Sequence, residues 1–373
     1  MILSKAAEEK MTRAKYPSLS AHSMAGAAAM MPHVGMNLEH NSKTWTIIKT
    51  LASGPFSEVF EAMDADTREH FAMKTEKEVG TIRPVLKLDV FVLRMLQSRN
   101  PIGFPRIYDA GRTDNFKYVV MQLVGPDLSK LRRSLPDKKF SLITALRVCA
   151  QTLDRIETLH DMGWLCRDIK APNFAIGLGD EAGIVFMLDF GFARRFIDNN
   201  GNHVRPRAAA AILGTIHYAP IASHYGREQS RRDDLESWFY MCVELVAGPL
   251  PWSHLDSRRQ HQLICECKQF ARKGGRHQFL KDCPLEFSDI LSMIDSLKYY
   301  DRPNYRLISA QIEKAIDRLK LDRYAPFDWQ VDNGKILERA AVIGDLGESH
   351  LLSVKLREAR KKLEATEPID IST

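Results

Sequence analysis

The stretch Cys166-Arg167-Asp168-Ile169-Lys170-Ala171-Pro172-Asn173 puts a carboxylate, an ammonium and an amide within one short segment, and Asp189-Phe190-Gly191 follows after the apolar run Ile184 to Leu188. Moving a phosphoryl group from a magnesium-bound triphosphate to a hydroxyl requires these residue types. A carboxylate must accept or orient the hydroxyl proton, a role assigned to Asp168. A carboxylate and an amide oxygen must hold Mg2+, which falls to Asp189 and Asn173. Lys170 can neutralise charge on the group in flight. An Arg-Asp pair or an Asp-Phe-Gly triplet is a weak signal alone; the order, the spacing and the apolar strand between them make the pattern specific. Upstream, Ala72-Met73-Lys74 ends a β-like run and offers a lysine to the α- and β-phosphates. A lone strand lysine is usually a solvated surface residue, but this one precedes a helical pattern carrying an acid, Asp89, that can pair with it. Asp89 is one methylene shorter than the glutamate of the general pattern. The phosphate-cradling loop is the poorest match. In Ala52-Ser53-Gly54-Pro55-Phe56-Ser57-Glu58-Val59 only Gly54 keeps glycine's backbone freedom, and Pro55 removes a donor. Val59 remains placed to cover an adenine.

Positioning these groups takes two kinds of architecture. Trp45 to Ile48, Glu58 to Ala62 and Phe71 to Lys74 alternate or run apolar as strands do, and with Phe116 to Leu123 they predict a small antiparallel sheet. Val85, Leu88, Val92, Leu93 and Leu96 have helical spacing. Gly125-Pro126 breaks the chain. Beyond it Leu146, Cys149, Leu153, Ile156 and Leu159 line one helix face, and Leu235 to Val246 is apolar nearly all round, as in a helix buried within a large lobe. The reading is α+β: an arm over 1–42, a two-lobed domain over 43–320 split at 124/125, and a charged tail over 321–373 in which Leu351 to Leu363 predicts a surface helix.

Composition narrows the classes further. With 373 residues, 45% of them hydrophobic, the chain can bury one large domain or two lobes, and a net charge of +6 selects no partner by itself. Basic residues are not interleaved with aromatics, so no nucleic acid is expected. The six cysteines include no CxxC pair, which argues against a zinc site and suits a reducing compartment. No apolar run is long enough for a bilayer, and Lys5, Glu8, Glu9 and Lys10 follow Met1-Ile2-Leu3 in the wrong order for a secretion signal. Cytoplasm or nucleus is the expected location.

From about Trp45 to Leu319 the chain resembles the casein kinase 1 superfamily of protein kinases. The resemblance rests on Lys170-Ala171-Pro172-Asn173-Phe174, on Gln229-Ser230-Arg231-Arg232-Asp233-Asp234-Leu235-Glu236-Ser237, on Leu250-Pro251-Trp252, and on Tyr218-Ala219-Pro220. Tyr118 to Leu123, Met187 to Gly191 and Val204-Arg205-Pro206-Arg207 are similar to the tau-tubulin kinase branch. The resemblance implies a bilobal protein kinase fold that transfers the γ-phosphate of ATP, with Mg2+, to Ser or Thr of a protein substrate in acidic or already phosphorylated sequences. It implies a nucleotide site of Leu51, Gly54, Val59, Ala72, Lys74, Asp89, Met121, Gln122 and Leu123, with Met121 as gatekeeper and Gln122 to Val124 as hinge. It also implies that Asp234 bonds the catalytic-loop backbone, and that the protein is a monomer.

The departures matter. Cys166 stands where the family has His, with a stability cost expected rather than a new nucleophile. His217 stands where the superfamily carries a phosphate-binding arginine, which leaves Arg205, Arg207, Arg231 and Arg232 as candidates for an anion site; structural pairing with Asp233, Asp234 or Glu236 is the competing reading. Two functions stay open on the sequence: an active Ser/Thr kinase, since Lys74, Asp168, Asn173 and Asp189 are all present, or a pseudokinase scaffold, given Ala52, Ser57, Asp89 and Cys166. A basic adaptor rests on net charge alone.

Overall fold

The computed structural model describes residues 31–54, 57–78 and 85–331, with 336, 337 and 340 beyond them. The arm up to residue 30, Pro55 with Phe56, and the helix expected at Leu351 to Leu363 lie outside the described residues.

The alternation seen in the first third of the chain builds a six-stranded antiparallel sheet, β1 (Asn37–His40), β2 (Lys43–Ser53), β3 (Glu58–Asp64), β4 (His70–Lys77), β5 (Ile107–Arg112) and β6 (Phe116–Gln122), in the order β1-β2-β3-β4-β6-β5. Successive strand side chains point to opposite faces. Trp45, Ile47, Phe60, Ala62, Phe71, Met73, Phe116, Tyr118 and Val120 fill one side. On the other, Ala72, Val119 and Met121 pack against Leu86 and Val90 of helix α1 (Leu86–Gln97). Register fixes what faces the cleft: Lys74 lies opposite Val59 on one neighbour and opposite Val119 on the other, and Ala72 lies opposite Met121. Lys74 therefore shares the α1 face with Ala72.

After Gly125-Pro126 the chain becomes helical. Helices α2 (Leu128–Ser134) and α3 (Leu142–Asp161) come first, then the short pairs β7 (Trp164–Leu165) with β10 (Arg194–Arg195) and β8 (Phe174–Ile176) with β9 (Val185–Met187). Helices α4 (Ile221–His224), α5 (Arg231–Ala247), α6 (His261–Arg272), α7 (Arg276–Phe279), α8 (Glu286–Ser296), α9 (Tyr305–Arg318) and α10 (Asp328–Val331) complete the lobe. The expected face of α3 is buried at Leu146, Cys149, Leu153, Ile156 and Leu159, and α5 is buried on every side from Asp233 to Val246. A helix surrounded by protein loses its polar face, which is why its sequence shows no amphipathic stripe.

The edges of the domain differ from the sequence reading. The sheet starts at Asn37 inside the expected arm, because Leu38 is buried and β1 pairs with β2 from Asn37 opposite Thr46 to His40 opposite Lys43. The helical lobe continues past residue 320: Phe327 and Trp329 are buried, and Trp329 packs edge-on to Phe140. Four residues are too short for periodicity, and two isolated aromatics in a polar stretch make no pattern.

Candidate active site

The cleft is built from the sheet downward. Strand β4 carries Lys74 and α1 carries Asp89; Lys74 Nζ donates to Asp89 Oδ2 at 2.6 Å and to Asp189 Oδ1 at 3.1 Å. The other oxygen of Asp89 accepts the Phe190 N–H at 2.9 Å. One short carboxylate thus ties the strand, the helix and the Asp189-Phe190-Gly191 turn together. Burial works against the Lys74 ammonium, but the carboxylates of Asp189 and Asp89 outweigh it and raise the pKa. Burial and the neighbouring Asp189 charge push the Asp89 carboxyl up although Lys74 opposes them. Asp189 is held below the usual carboxylate range: burial opposes, and Lys74, the Gly191 N–H and Lys170 prevail. Two carboxylates share one ammonium here, so the corner carries an excess of negative charge.

Below it, Asp168 is buried and multiply held. Its Oδ1 accepts from the Thr215 N–H at 2.9 Å and the Thr215 hydroxyl at 3.2 Å. Its Oδ2 meets Lys170 Nζ at 2.9 Å, and Lys170 also donates to Thr215 Oγ1 at 2.9 Å. Asn173 Nδ2 donates to the Asp168 carbonyl at 2.9 Å and to its carboxylate at 3.2 Å. With the amide nitrogen engaged, Asn173 has its oxygen left to offer. The side chain of Asp189 is about a third open to solvent, at 35%. An amide oxygen and a partly exposed carboxylate beside excess negative charge fit Mg2+, which takes few protein ligands and completes its shell with water and phosphate.

The loop is locked from beneath. Asp234, in the first turn of α5, accepts the N–H groups of Cys166 at 2.7 Å and Arg167 at 2.8 Å, and His160 Nε2 donates to it at 2.9 Å. Arg167 and Asp189 sit at φ of 64° and 60°, left-handed positions that cost roughly 1–2 kcal/mol each in a non-glycine residue. The Asp234 and Asp89 contacts hold the chain there. Gly214, at φ +82°, has no room for a side chain: a Cβ would come 2.7 Å from the Arg167 carbonyl. Cys166 is fully buried, and burial with the nearby Asp234 charge pushes its thiol well above the ordinary range, so it is no nucleophile.

The expected adenine-site residues fall into one cluster, in which Val59 and Leu123 pack against Ala72, Val119 and Met121. Gly54 closes its loop with N–H to Ser57 carbonyl at 2.9 Å. The Leu51 carbonyl accepts from Lys130 Nζ of α2 at 3.4 Å, a bond between the lobes. Gln122 is anchored by its N–H to the Arg106 carbonyl and by its side chain to Glu181 at 2.6 Å, and Gly125 N–H bonds the Ile176 carbonyl, with Leu123 and Val124 between these anchors.

The candidate anion residues do not come together. Arg231 donates to the Tyr300 carbonyl and lies over Phe196, Arg232 donates to the Leu297 carbonyl, and His217 Nε2 donates to the Leu255 carbonyl. None of these pairs with the acids proposed as competitors. Arg207 pairs with Glu228 through both Nε and an Nη, Arg194 joins the same carboxylate at 3.3 Å, and Arg205 is exposed. Thr215 and Glu228 were missed by sequence reasoning. A threonine after glycine and a glutamate ahead of Gln229 carry no signal by type or spacing.

A model of the protein kinase domain matches residues 45–312. The serine/threonine-protein kinase spe-6 of Caenorhabditis elegans is 46% identical over 344 residues, covering 91% of this chain and 89% of that protein. A Dictyostelium discoideum protein named "Probable serine/threonine-protein kinase" is 40% identical over 289 residues, covering 77% of this chain, which spans 56% of that protein's length. The match runs through both lobes and every group of the cleft, and the chain belongs to the protein kinase family, as a serine/threonine kinase.

Proposed function

We propose that phosphoryl transfer runs through Asp168 as the base for the acceptor hydroxyl, with Lys170 and Lys74 as charge stabilisers and Asn173 and Asp189 as the Mg2+ ligands. The observation that supports this most is the joining of Lys74, Asp89, Asp189 and Phe190 by short contacts across chain separations of up to 115 residues. Lys74, held by Asp89 and Asp189, would bind the α- and β-phosphates of ATP. Lys170, between Asp168 and Thr215, would offset charge on the transferred group and orients the Asp168 carboxylate. Asn173 and Asp189 would hold Mg2+, which would supply neutralisation of phosphate charge. The adenine would rest on Val59, Ala72, Met121 and Leu123.

The finer reading is a casein kinase 1 superfamily member near the tau-tubulin kinase branch, working as a monomer in cytoplasm or nucleus without membrane or nucleic acid. Its support is the Gln229-to-Ser237 stretch that places Asp234 under the catalytic loop, and Tyr218-Ala219-Pro220 following Thr215. For an acidic or phosphorylated substrate residue, Arg205 is the exposed candidate; Arg207 is paired with Glu228, and Arg231, Arg232 and His217 are engaged with backbone carbonyls. The scaffold alternative is not favoured, because every charge stabiliser is present and in contact. Label transfer from ATP to casein decides the assignment. Asp168→Asn should lower it by about 100- to 10,000-fold while ATP·Mg2+ still raises the melting temperature; transfer at the wild-type rate would remove Asp168 from its role.

A further inference from the structure

Lys268 is one of the most deeply buried side chains of the helical lobe, with an exposure of 0%. It belongs to α6 and is not among the groups assigned to the reaction. Its Nζ donates to the carbonyls of Ile216 at 2.7 Å and Ala219 at 2.6 Å and faces His224 Nε2 at 3.1 Å. The rings of Tyr240 and Trp252 flank it at 5.3 and 5.8 Å. Trp252 in turn donates its indole N–H to the carbonyl between those two, that of His217, at 2.8 Å. Three carbonyls of one turn, Ile216, His217 and Ala219, are thus met by side chains rising from the lobe.

That turn begins at the base. The N–H groups of Tyr218 and Ala219 both close on the Thr215 carbonyl at 2.9 Å, and Thr215 holds Asp168 Oδ1 through its N–H and hydroxyl. A buried ammonium is costly, and an apolar side chain of similar length would fill the same volume. What only the ammonium provides is three donors at one point, two of them on a short piece of backbone and the third on the His224 ring. His224 is lowered to about 4, first by burial and then by Lys268, so its ring is a neutral acceptor for the third donor. Burial lowers the Lys268 pKa to about 7 against the pull of Glu236 and Cys265, so the full set of donors is present below that pH.

We infer that Lys268 is a positioning residue for the protein substrate, fixing the Thr215–Ala219 turn so that the acceptor hydroxyl is presented to Asp168, while nucleotide binding proceeds without it. This rests on the reading of Asp168 as the base. Among the described residues, none of the lysine's partners named above belongs to the adenine cluster or bonds Lys74, so its removal should separate the two substrates.

The experiment uses the full chain, with Lys268→Met and Lys268→Arg measured beside wild type. For Lys268→Met, kcat/KM toward casein should fall about 10-fold, in line with a small misplacement of reacting groups, while the KM for ATP stays within about twofold of wild type. The Arg variant, which restores donors, should recover part of the loss. Amide hydrogen exchange should accelerate at Tyr218 and Ala219, and stay unchanged at Cys166 and Arg167, which Asp234 protects. A KM for ATP raised about 10-fold as well, or unchanged exchange at Tyr218 and Ala219 in a folded variant, would overturn the inference. Should Lys268→Met not fold, His224→Leu leaves the ammonium and both carbonyls in place and removes the third acceptor. It should give the same pattern at smaller size, and a raised KM for ATP would count against the role. The exchange measurement needs no turnover, so it judges Lys268 even if Asp168→Asn were to keep full transfer.

Discussion

Asp89 reaches Lys74 with one oxygen and the Phe190 N–H with the other, at 2.6 and 2.9 Å. The chain has drawn α1 close enough for an aspartate to span what a glutamate spans elsewhere, and the contact is short. An added methylene has nowhere to go: Asp89 is 1% exposed. In Asp89→Glu, either α1 shifts outward or the bond to Phe190 breaks, and in both cases Asp189 moves. Phosphotransfer should fall about 10-fold or more, since displacements near 1 Å cost up to that order and beyond. Steady-state kinetics with ATP as the varied substrate checks this, and a Glu variant as active as wild type would show that side-chain length is not tuned here. Asp168, Asn173, Asp189 and Lys74 could be singled out in the sequence because the proposed reaction dictates their types, and the structure brings them into two contacting groups, Lys74 with Asp189 and Asp168 with Asn173. Thr215 and Lys268 were not readable, because they act on backbone and on other side chains, and many residue types can donate a hydrogen bond. Arg231 and Arg232 misled for a related reason. A guanidinium that binds a phosphate and one that binds a carbonyl look alike in sequence.

Helix α5 holds the catalytic loop through Asp234 and carries in its first turn the neighbouring Asp233, whose carboxylate accepts the Ser230 N–H at 2.7 Å and the Ser230 hydroxyl at 3.0 Å. Burial, aided by the charge of Glu236, pushes Asp233 up to about 7 although Ser230 and Arg232 oppose it. In the unfolded chain the same group ionises near 3.8. Between those values the native state binds more protons than the unfolded state, so this residue's contribution to stability falls as pH rises from about 4 to 7. Asp233→Asn keeps an acceptor for Ser230 and removes the titration. Thermal unfolding of both proteins across that range should show the variant gaining on the wild type as pH increases. Curves that stay parallel would mean that Asp233 ionises normally. The element itself was legible as a buried helix from Leu235 to Val246, and the strands β2, β3, β4 and β6 from their alternation and β-branched or aromatic content. Short pieces such as β7 and β10, at two residues each, are made by tertiary contact and leave no periodic trace.

At the scale of the whole molecule, the division into a sheet lobe and a helical lobe was visible in the shift of periodicity across Gly125-Pro126. The extent of the helical lobe was not, and its last described stretch shows why the missing part matters. Trp329 is 1% exposed, stacks on Phe327 with ring centres 4.6 Å apart, and donates its indole N–H to the Ala182 carbonyl at 3.0 Å. Asp328 beside it accepts the Ser141 N–H at 2.7 Å and the Thr144 hydroxyl at 3.0 Å, at the start of α3. Arg147 of α3 lies 3.8 Å over the Phe327 ring. The segment therefore covers the first turn of α3 and braces the loop of Ala182, whose neighbour Glu181 holds Gln122, next to Met121 of the expected adenine cluster. Trp329→Ala removes a buried ring that two other aromatics touch and leaves the Ala182 carbonyl without its donor. The expected loss is about 3–5 kcal/mol, read as a lower urea midpoint at unchanged slope. Truncation after Lys320 also removes the Asp328 contacts and should be more damaging, with Phe140 exposed. A loss below about 1 kcal/mol in the point variant, the size of an ordinary surface change, would mean that the lobe ends at α9 as the sequence implied and that the aromatic cluster beyond it is dispensable.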